Sequence, residues 1–218
     1  MTLRVCDGEL HIDPTAWIEL VGTEPSPEAL DVARQVPGGE QALAAGSRPL
    51  AVVQLETATP TGVWNHEVWL GADAAALLVH TAEGQDRHLI PLRHDQVAAA
   101  LARLAGVGPR DPMPDDMDRR TREVGMEEIE AWFVADRDVR RGRLAPFGAD
   151  RAWRLVAHAV GSLHEPIVLG IADGANGGPW RLESGGDGFV AVPVTPTAVF
   201  RELASVVPLL GQDITPSR

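Results

Sequence analysis

The sequence FVAVPVTPTAVFRELASVV, residues 189–207, predicts a β-strand that leads directly into an α-helix. Residues 189–194 are rich in strand-forming side chains, and Thr195 followed by Pro196 is a helix start, because proline at the first helical position loses no N–H group that the helix needs. The residues that follow recur at helical spacing and give one broad apolar face: Val199, Phe200, Leu203, Val206 and Val207. This stretch is therefore expected to supply both a strand and an amphipathic helix to the core.

A similar strand and helix are predicted by LIPLRHDQVAAALARLA, residues 89–105. Four of its residues match the later stretch without a gap, each pair being 102 positions apart: Pro91 with Pro193, Val97 with Val199, Leu101 with Leu203 and Leu104 with Val206. The same offset aligns Val53 with Leu155, and Gly84 with Gly186. We therefore expect a two-fold internal repeat and an α+β fold of two pseudo-symmetric subdomains, with a mainly antiparallel central sheet flanked by helices.

The two proposed halves are separated by a stretch without hydrophobic periodicity. Residues 110–120 begin RDPMPDDMD, and such a proline- and aspartate-rich composition is typical of a linker. We expect residues 1–109 to form an N-terminal half that carries an additional hairpin and short helix. Residues 121–218 are then expected to form the C-terminal half.

Turn and cap residues predict several local elements. Residues 3–12 read as a hairpin around Asp7-Gly8, because Asp-Gly adopts the positive φ angles of a type I′ turn. Residues 57–62 are expected to be a loop, and 63–70 a strand whose alternating side chains point to opposite faces. A single helix is expected from 127 to 141, ended by glycine.

Composition narrows the class of protein. The chain has 218 residues, of which 44% are hydrophobic, so it can bury a sizeable core. No apolar run approaches the roughly 20 residues that cross a bilayer, and the N-terminus lacks the apolar stretch of a signal peptide. We therefore expect a cytoplasmic protein without membrane insertion. The single cysteine, Cys6, excludes an internal disulfide and any multi-cysteine zinc site.

Charge and missing residue types argue against several functions. A net charge of −12 disfavours nucleic-acid binding, which needs a basic surface. All 19 basic residues are arginine, so neither a lysine Schiff base nor the lysine of a P-loop is available. The G-x-S-x-G, H-E-x-x-H and strand-linked G-x-G-x-x-G motifs are also missing from the sequence. We therefore expect no enzymatic activity and no cofactor.

The histidines and the glycine-rich loops do not form a recognisable catalytic or metal site. His66 and Glu67 are adjacent on a strand and so point to opposite faces, which makes them a poor catalytic pair. His158 and His164 could approach across a turn, but no third partner is specified. Residues 173–178 lack the paired acidic positions and the closing glutamate of a calcium loop. Each histidine is expected to be an ordinary surface or core residue, with no catalytic residue and no metal site.

Four runs of sequence carry a resemblance to a known family: GEQALAAGSRPLAVVQLE, WLGADAAALLVH, RRGRLAPFG and ADGANGGPWRLESGGDGFVAVPVTPTAVFRELASVVPLL. Together with the duplicated strand-helix unit, they resemble the ESX (type VII) secretion-associated EspG family of actinobacteria. Members have pseudo-two-fold α/β subdomains joined through a central sheet. They end with a G-x-W-type strand, a valine-rich strand and a terminal helix, which correspond here to residues 178–182, 189–194 and 196–210.

The resemblance implies a non-enzymatic cytosolic chaperone of type VII secretion. Such proteins bind the apolar tip of a helical-hairpin substrate, of PPE type in mycobacteria, and keep it soluble until export. An exposed apolar tip must be shielded from self-association, and an aromatic sheet with an adjacent loop can provide a groove for it. The residues expected to bind the partner are Thr59, Trp64, His66 and Trp69.

A second hypothesis from another class stays open. A cleft between the two halves could serve a small-molecule-binding domain or a small enzyme, with histidines and carboxylates as its working groups. A co-purifying helical secreted protein would support the chaperone hypothesis. A bound metabolite or metal without a protein partner would support the alternative.

Overall fold

The computed structural model describes residues 3–80, 87–108, 121–174, 178–185 and 188–214. The strands in these ranges are β1 Leu3–Cys6, β2 Glu9–Ile12, β3 Ala51–Thr59, β4 Gly62–Leu70, β5 Ala75–His80, β6 Arg87–Leu92, β7 Arg122–Val124, β8 Arg151–Ala159, β9 Ile167–Asp173, β10 Trp180–Gly185 and β11 Gly188–Pro193. The helices are α1 Pro14–Leu20, α2 Pro27–Ala33, α3 Gly39–Ser47, α4 His94–Ala105, α5 Met126–Trp132, α6 Arg137–Leu144 and α7 Pro196–Ile214, with a 3₁₀ turn at Ala145–Phe147. The predicted linker and the Gly84/Gly186 pair lie outside the described residues. Within those ranges, no helix has the length and apolar character needed to span a bilayer.

All the strands belong to one antiparallel sheet in the order β1-β2-β6-β5-β4-β3-β8-β9-β10-β11-β7. From the central pair outwards, the two sides repeat the same succession: β3-β4-β5-β6-β2 on one side and β8-β9-β10-β11-β7 on the other. In each half the last strand of the succession precedes the others in the chain, and β1 is an addition at one edge. The predicted fold class, α+β with two pseudo-symmetric subdomains and an antiparallel central sheet, is confirmed.

The register of the central strand pair is informative about the relation between the halves. Gln54 of β3 lies opposite Val156 of β8, and these two residues are 102 positions apart. A two-fold axis that relates residues 102 positions apart would exchange Gln54 with Val156. Because these two residues are paired, such an axis would have to pass between them. Helices α4 and α7 begin at residues 94 and 196, and they pack against each other. That the halves arose by tandem duplication, with domain boundaries at 109 and 121, stays a prediction.

One face of the sheet is covered by α4 and α7. Its core contains fully buried side chains from both halves: Val53, Leu55, Val68, Leu101, Trp153, Leu155, Leu203 and Val206. The opposite face is covered at its two ends by separate helix groups. Helices α1, α2 and α3 pack over one end around Trp17 and Leu43, and α5 and α6 pack over the other around Trp132. The centre of this second face carries no helix from the described part of the chain.

Local capping explains where the first elements begin. Asp7 and Gly8 have φ angles of 53° and 82°, so the predicted hairpin turn is present. The Asp13 carboxylate accepts a hydrogen bond from the Ala16 N–H at 2.8 Å and caps α1. Ser26 caps α2 in the same way. In both helices a proline occupies the first turn, as the sequence predicts.

The loop predicted at residues 57–62 is wrong. Strand β3 continues to Thr59 and β4 begins at Gly62, so Pro60 and Thr61 alone connect them. Residues 57 and 58 pair with β4 on one side and with β8 on the other. Because these backbone groups are hydrogen-bonded on both sides, and Thr57 and Ala58 are buried, the extended conformation is more favourable than a loop.

The single helix predicted at residues 127–141 is also wrong, because two helices occupy this region. Asp136 has an extended conformation, and its carboxylate accepts hydrogen bonds from the Asp138 and Val139 N–H groups at 2.9 and 3.0 Å. This cap starts α6 after a break that follows α5. Gly142 does not end the helix, since α6 continues to Leu144.

Candidate functional site

An open groove lies at the centre of the sheet face opposite α4 and α7. It runs between the helix group α1–α3 and the helix group α5–α6, across strands of both halves. Its volume is about 660 Å³. The groove is lined by Gln54 of β3 and Val156 of β8, which lie opposite each other on the two central strands. It therefore lies where the two halves meet.

The side of the groove that belongs to the C-terminal half is mainly apolar, although Glu130, Arg154 and Ser184 also line it. Its sheet surface is formed by Val156, Val168, Leu182 and Phe189, and α5 contributes Met126 and Ile129. Val168 is 62% exposed and Met126 is 55% exposed. Large apolar side chains that remain exposed in a concave surface are typical of a site that binds a protein or an apolar ligand.

The side that belongs to the N-terminal half is polar. Gln54, Glu56, Asn65 and Glu67 line it. The Glu67 carboxylate accepts a hydrogen bond from the Trp69 indole N–H at 2.9 Å and lies 3.1 Å from Arg87 Nη1. Both partners restrict the rotamer of Glu67, so its charge is held in a fixed place beside the apolar surface.

Arg154 connects the polar and apolar sides. Its Nε lies 2.5 Å from Glu56 Oε2, and its Nη1 lies 2.7 Å from Glu130 Oε1 on α5. Its guanidinium also lies 4.7 Å from the centre of the Phe133 ring. Partial burial disfavours the charged form of Arg154 and lowers the pKa of its guanidinium. The hydrogen bonds to Glu130 and Glu56 have the larger effect, so the pKa is raised overall. The arginine therefore stays charged and ties α5 to the sheet.

The structure does not bring the four predicted partner-binding residues together. Trp64 and His66 lie on the sheet face that α4 and α7 cover, and His66 is only 6% exposed. Trp69 lies on the other face, where its ring packs edge-on against Trp17 at 5.5 Å. Thr59 lies at the end of β3 and hydrogen-bonds within its own turn. Of the four, His66 alone is in contact with the groove, although its side chain points to the other face of the sheet. Their role in binding a partner stays a prediction.

Sequence reasoning missed the apolar half of the groove. Strand β9 has apolar side chains on both faces, in the sequence IVLGIAD, and this pattern is normally a sign that helices cover both faces. Here α7 covers one face, whereas Val168 on the other face stays exposed. The sequence did contain one signal of this exposed surface: it predicts fewer helices than are needed to cover all the apolar strand faces.

The comparisons with known proteins concern the fold. No protein-family model and no curated protein matches the sequence. A solved structure with a similar fold is that of the Mycobacterium tuberculosis type VII secretion system chaperone EspG5 in complex with the PE25–PPE41 dimer. The TM-score is 0.53 at 15% sequence identity, and the match covers 95% of this chain and 97% of the matched chain. The resemblance predicted from the sequence thus extends to the fold over nearly the whole chain, which has an EspG-like fold.

Proposed function

We propose that this protein is a cytosolic secretion chaperone that holds the apolar tip of a helical-hairpin type VII substrate in the central groove. The main support is the groove itself, a partly apolar concavity at the seam of the two halves with Val168 and Met126 exposed in it. A second support is the EspG-like fold, since the similar EspG5 was solved in complex with a PE–PPE dimer. A PE/PPE-type helical protein is therefore the proposed partner.

The size of the groove limits what it can hold. An α-helix with its side chains is about 10 Å across, so a volume of about 660 Å³ admits the side chains of a hairpin tip but not the whole hairpin. Binding would bury those tip side chains against Val168, Leu182 and Met126 and remove them from water. Shielding of this kind keeps an apolar tip from associating with other copies of itself.

The charged residues beside the apolar surface are proposed to determine orientation more than affinity. Glu56, Glu67 and Arg154 already have partners within the chain, so a ligand gains little from them as isolated charges. Their fixed positions would disfavour a tip that places an apolar or like-charged group against them. The acidic net charge of the whole chain also helps to keep a complex with an apolar protein in solution.

The decisive experiment compares two valine substitutions. Val168→Asp places a carboxylate on the apolar side of the groove, whereas Val160→Asp changes a valine of similar exposure, 54%, just after β8 and outside the groove. The partners tested are any PE–PPE-type heterodimers that the genome carrying this chain encodes, each produced separately. Binding is measured by size-exclusion co-elution and by calorimetry, and circular dichroism checks that both variants remain folded.

We expect Val168→Asp to weaken binding by at least roughly 5- to 150-fold, because an unsatisfied buried polar group costs about 1–3 kcal/mol and a charged group costs more. Val160→Asp should bind like the unchanged protein. Met126→Glu provides a second test, since a glutamate at the start of α5 suits the helix dipole and should leave the fold intact. Equal binding by folded Val168→Asp, Met126→Glu and Val160→Asp would rule out the groove as the site.

The alternative of a small-molecule site or enzyme would use the same groove. Its carboxylates Glu56 and Glu67 are paired with arginines, and the side chain of His66 is buried on the other face of the sheet. Native mass spectrometry of the protein purified without a partner separates the two proposals. A stoichiometric small molecule that is lost from Val168→Asp, with no binding to any heterodimer, would favour the alternative.

A further inference from the structure

Two strands near one edge of the sheet bring three metal-ligating side chains together. His11 of β2 lies directly opposite His88 of β6 in the antiparallel register. Glu9 precedes His11 by two residues and therefore points to the same face. One possible ligand atom from each of these side chains lies within 4.8 Å of the other two. His88 is distant in sequence from Glu9 and His11, so spacing along the chain does not connect the three residues.

The arrangement is held by contacts on both sides of the sheet. On the cluster's own face, Glu9 Oε2 lies 2.9 Å from His88 Nδ1, and the two imidazole ring centres are 4.1 Å apart. On the opposite face, Leu10 and Leu89 pair across the same strands and are almost fully buried. A one-residue slip of β2 would expose Leu10, so the register that aligns the histidines is strongly specified.

We propose that Glu9, His11 and His88 bind a divalent transition-metal ion, with Zn²⁺ as the best match. Imidazole nitrogen and carboxylate oxygen are both zinc ligands, at about 2.0–2.2 Å from the ion. Tetrahedral geometry then separates the ligand atoms by roughly 3.3 Å. Small side-chain rotations achieve this from the present cluster, because its atoms are already within 4.8 Å of one another. Three protein ligands leave a fourth position for water or another ligand.

Two features set the expected strength of this site. Glu9 has a side chain that is 59% exposed, and Arg4 lies opposite His11 on β1, so the environment is partly solvated and contains a neighbouring cation. Both features weaken cation binding compared with a closed four-ligand site. A dissociation constant on the order of 1–10 µM is therefore expected for Zn²⁺.

The site is separate from the central groove and independent of its function. The cluster lies on the sheet face opposite the groove, as the alternation of His88 with groove-lining Arg87 shows. The corresponding described positions of the C-terminal half carry no histidine pair, because the residue 102 positions after His88 is Val190, and its partner on β7 is Glu123. A metal site confined to one half is not a by-product of the internal symmetry.

The test is a calorimetric titration of Zn²⁺ into the metal-free, untagged full chain. We expect one ion per chain, with His11→Ala and His88→Ala each weakening binding at least tenfold. His158→Ala is the matched control, because His158 is an exposed histidine on a central strand, and it should leave binding unchanged. Absorption spectra of the Co²⁺-loaded protein give a second readout and should show the visible bands of tetrahedral coordination in the unchanged protein and His158→Ala only.

Circular dichroism and thermal melting in the presence of a chelator establish that each variant is folded. Weak binding that all variants share would be adventitious and would overturn the proposal. A His158→Ala variant that loses as much affinity as His88→Ala would overturn it as well. If either histidine variant fails to fold, substitution of the same residue by Gln preserves its size and polarity and replaces alanine in the comparison.

Discussion

Replacing Arg140 with alanine is expected to destabilise the protein far more than replacing its neighbour Arg141. Arg140 is only 3% exposed. Its Nε and Nη2 donate to the carbonyl of Thr59 at 3.1 and 2.9 Å, and its Nη1 donates to the carbonyls of Val134 and Ala135 at 2.6 and 3.2 Å. One side chain therefore joins α6, the break before it and the end of β3.

The expected magnitude follows from these bonds. A hydrogen bond from a charged donor contributes about 1.5–3 kcal/mol, and a buried carbonyl left without a donor costs about 1–3 kcal/mol. Because the four bonds share one side chain and water can enter the space, the contributions do not add fully. We expect Arg140→Ala to lower the free energy of unfolding by about 3–5 kcal/mol. At roughly 2–4 °C per kcal/mol for a chain of this size, the melting temperature should fall by about 6–20 °C.

Urea unfolding followed by tryptophan fluorescence measures this difference. Arg141→Ala is the control, because Arg141 is exposed on the same helix and its removal should change the stability by less than about 0.5 kcal/mol. Arg140→Lys keeps the charge but cannot reach all three carbonyls, so an intermediate stability is expected. If Arg140→Ala lies within about 1 kcal/mol of Arg141→Ala, the bonds described above do not carry the stability assigned to them.

Two further pairs of substitutions test packing and capping by thermal melting. Gly46→Ala would place a methyl group on the Trp17 ring and should cost about 1–3 kcal/mol. Gly142→Ala, in a helix with open space around it, should stabilise the protein by about 0.5–1 kcal/mol. Stabilisation by both substitutions would contradict the close contact of α1 and α3. Asp136→Ala should cost about 1 kcal/mol through loss of the α6 cap, whereas Asp136→Asn should keep most of the stability. An Asp136→Ala variant as stable as the unchanged protein would mean that the cap does not determine where α6 begins.

Local sequence chemistry predicted the elements that depend on short-range interactions. The Asp7-Gly8 turn, the Asp13 and Ser26 caps, and the apolar faces of α4 and α7 each depend on a few neighbouring residues, and the structure has them. The exception is Phe200, which the sequence predicts on the apolar face of α7 but which is 43% exposed. Local signals failed where they competed with pairing or capping that the sequence does not show. Residues 57 and 58 became strand because they pair on both sides, and Asp136 divided a helix that looked continuous.

The candidate sites depend on residues that are far apart in the sequence. Strand β4 was identified correctly, but the apolar half of the groove comes from β8, β9, β10 and α5, which the sequence analysis did not connect with it. The pairing of His11 with His88 likewise follows from strand order, not from spacing along the chain.

The sequence by itself determined the strand-helix units and the caps of the first helices, because steric and hydrogen-bonding preferences of adjacent residues specify such features. The 102-residue offset follows from comparing the two strand-helix stretches directly. The tertiary structure alone decided which apolar faces are covered. Whether Val168 is exposed depends on how far α1–α3 and α5–α6 extend over the shared sheet. That extent is a result of long-range packing, and it leaves open the central groove proposed here as the binding site.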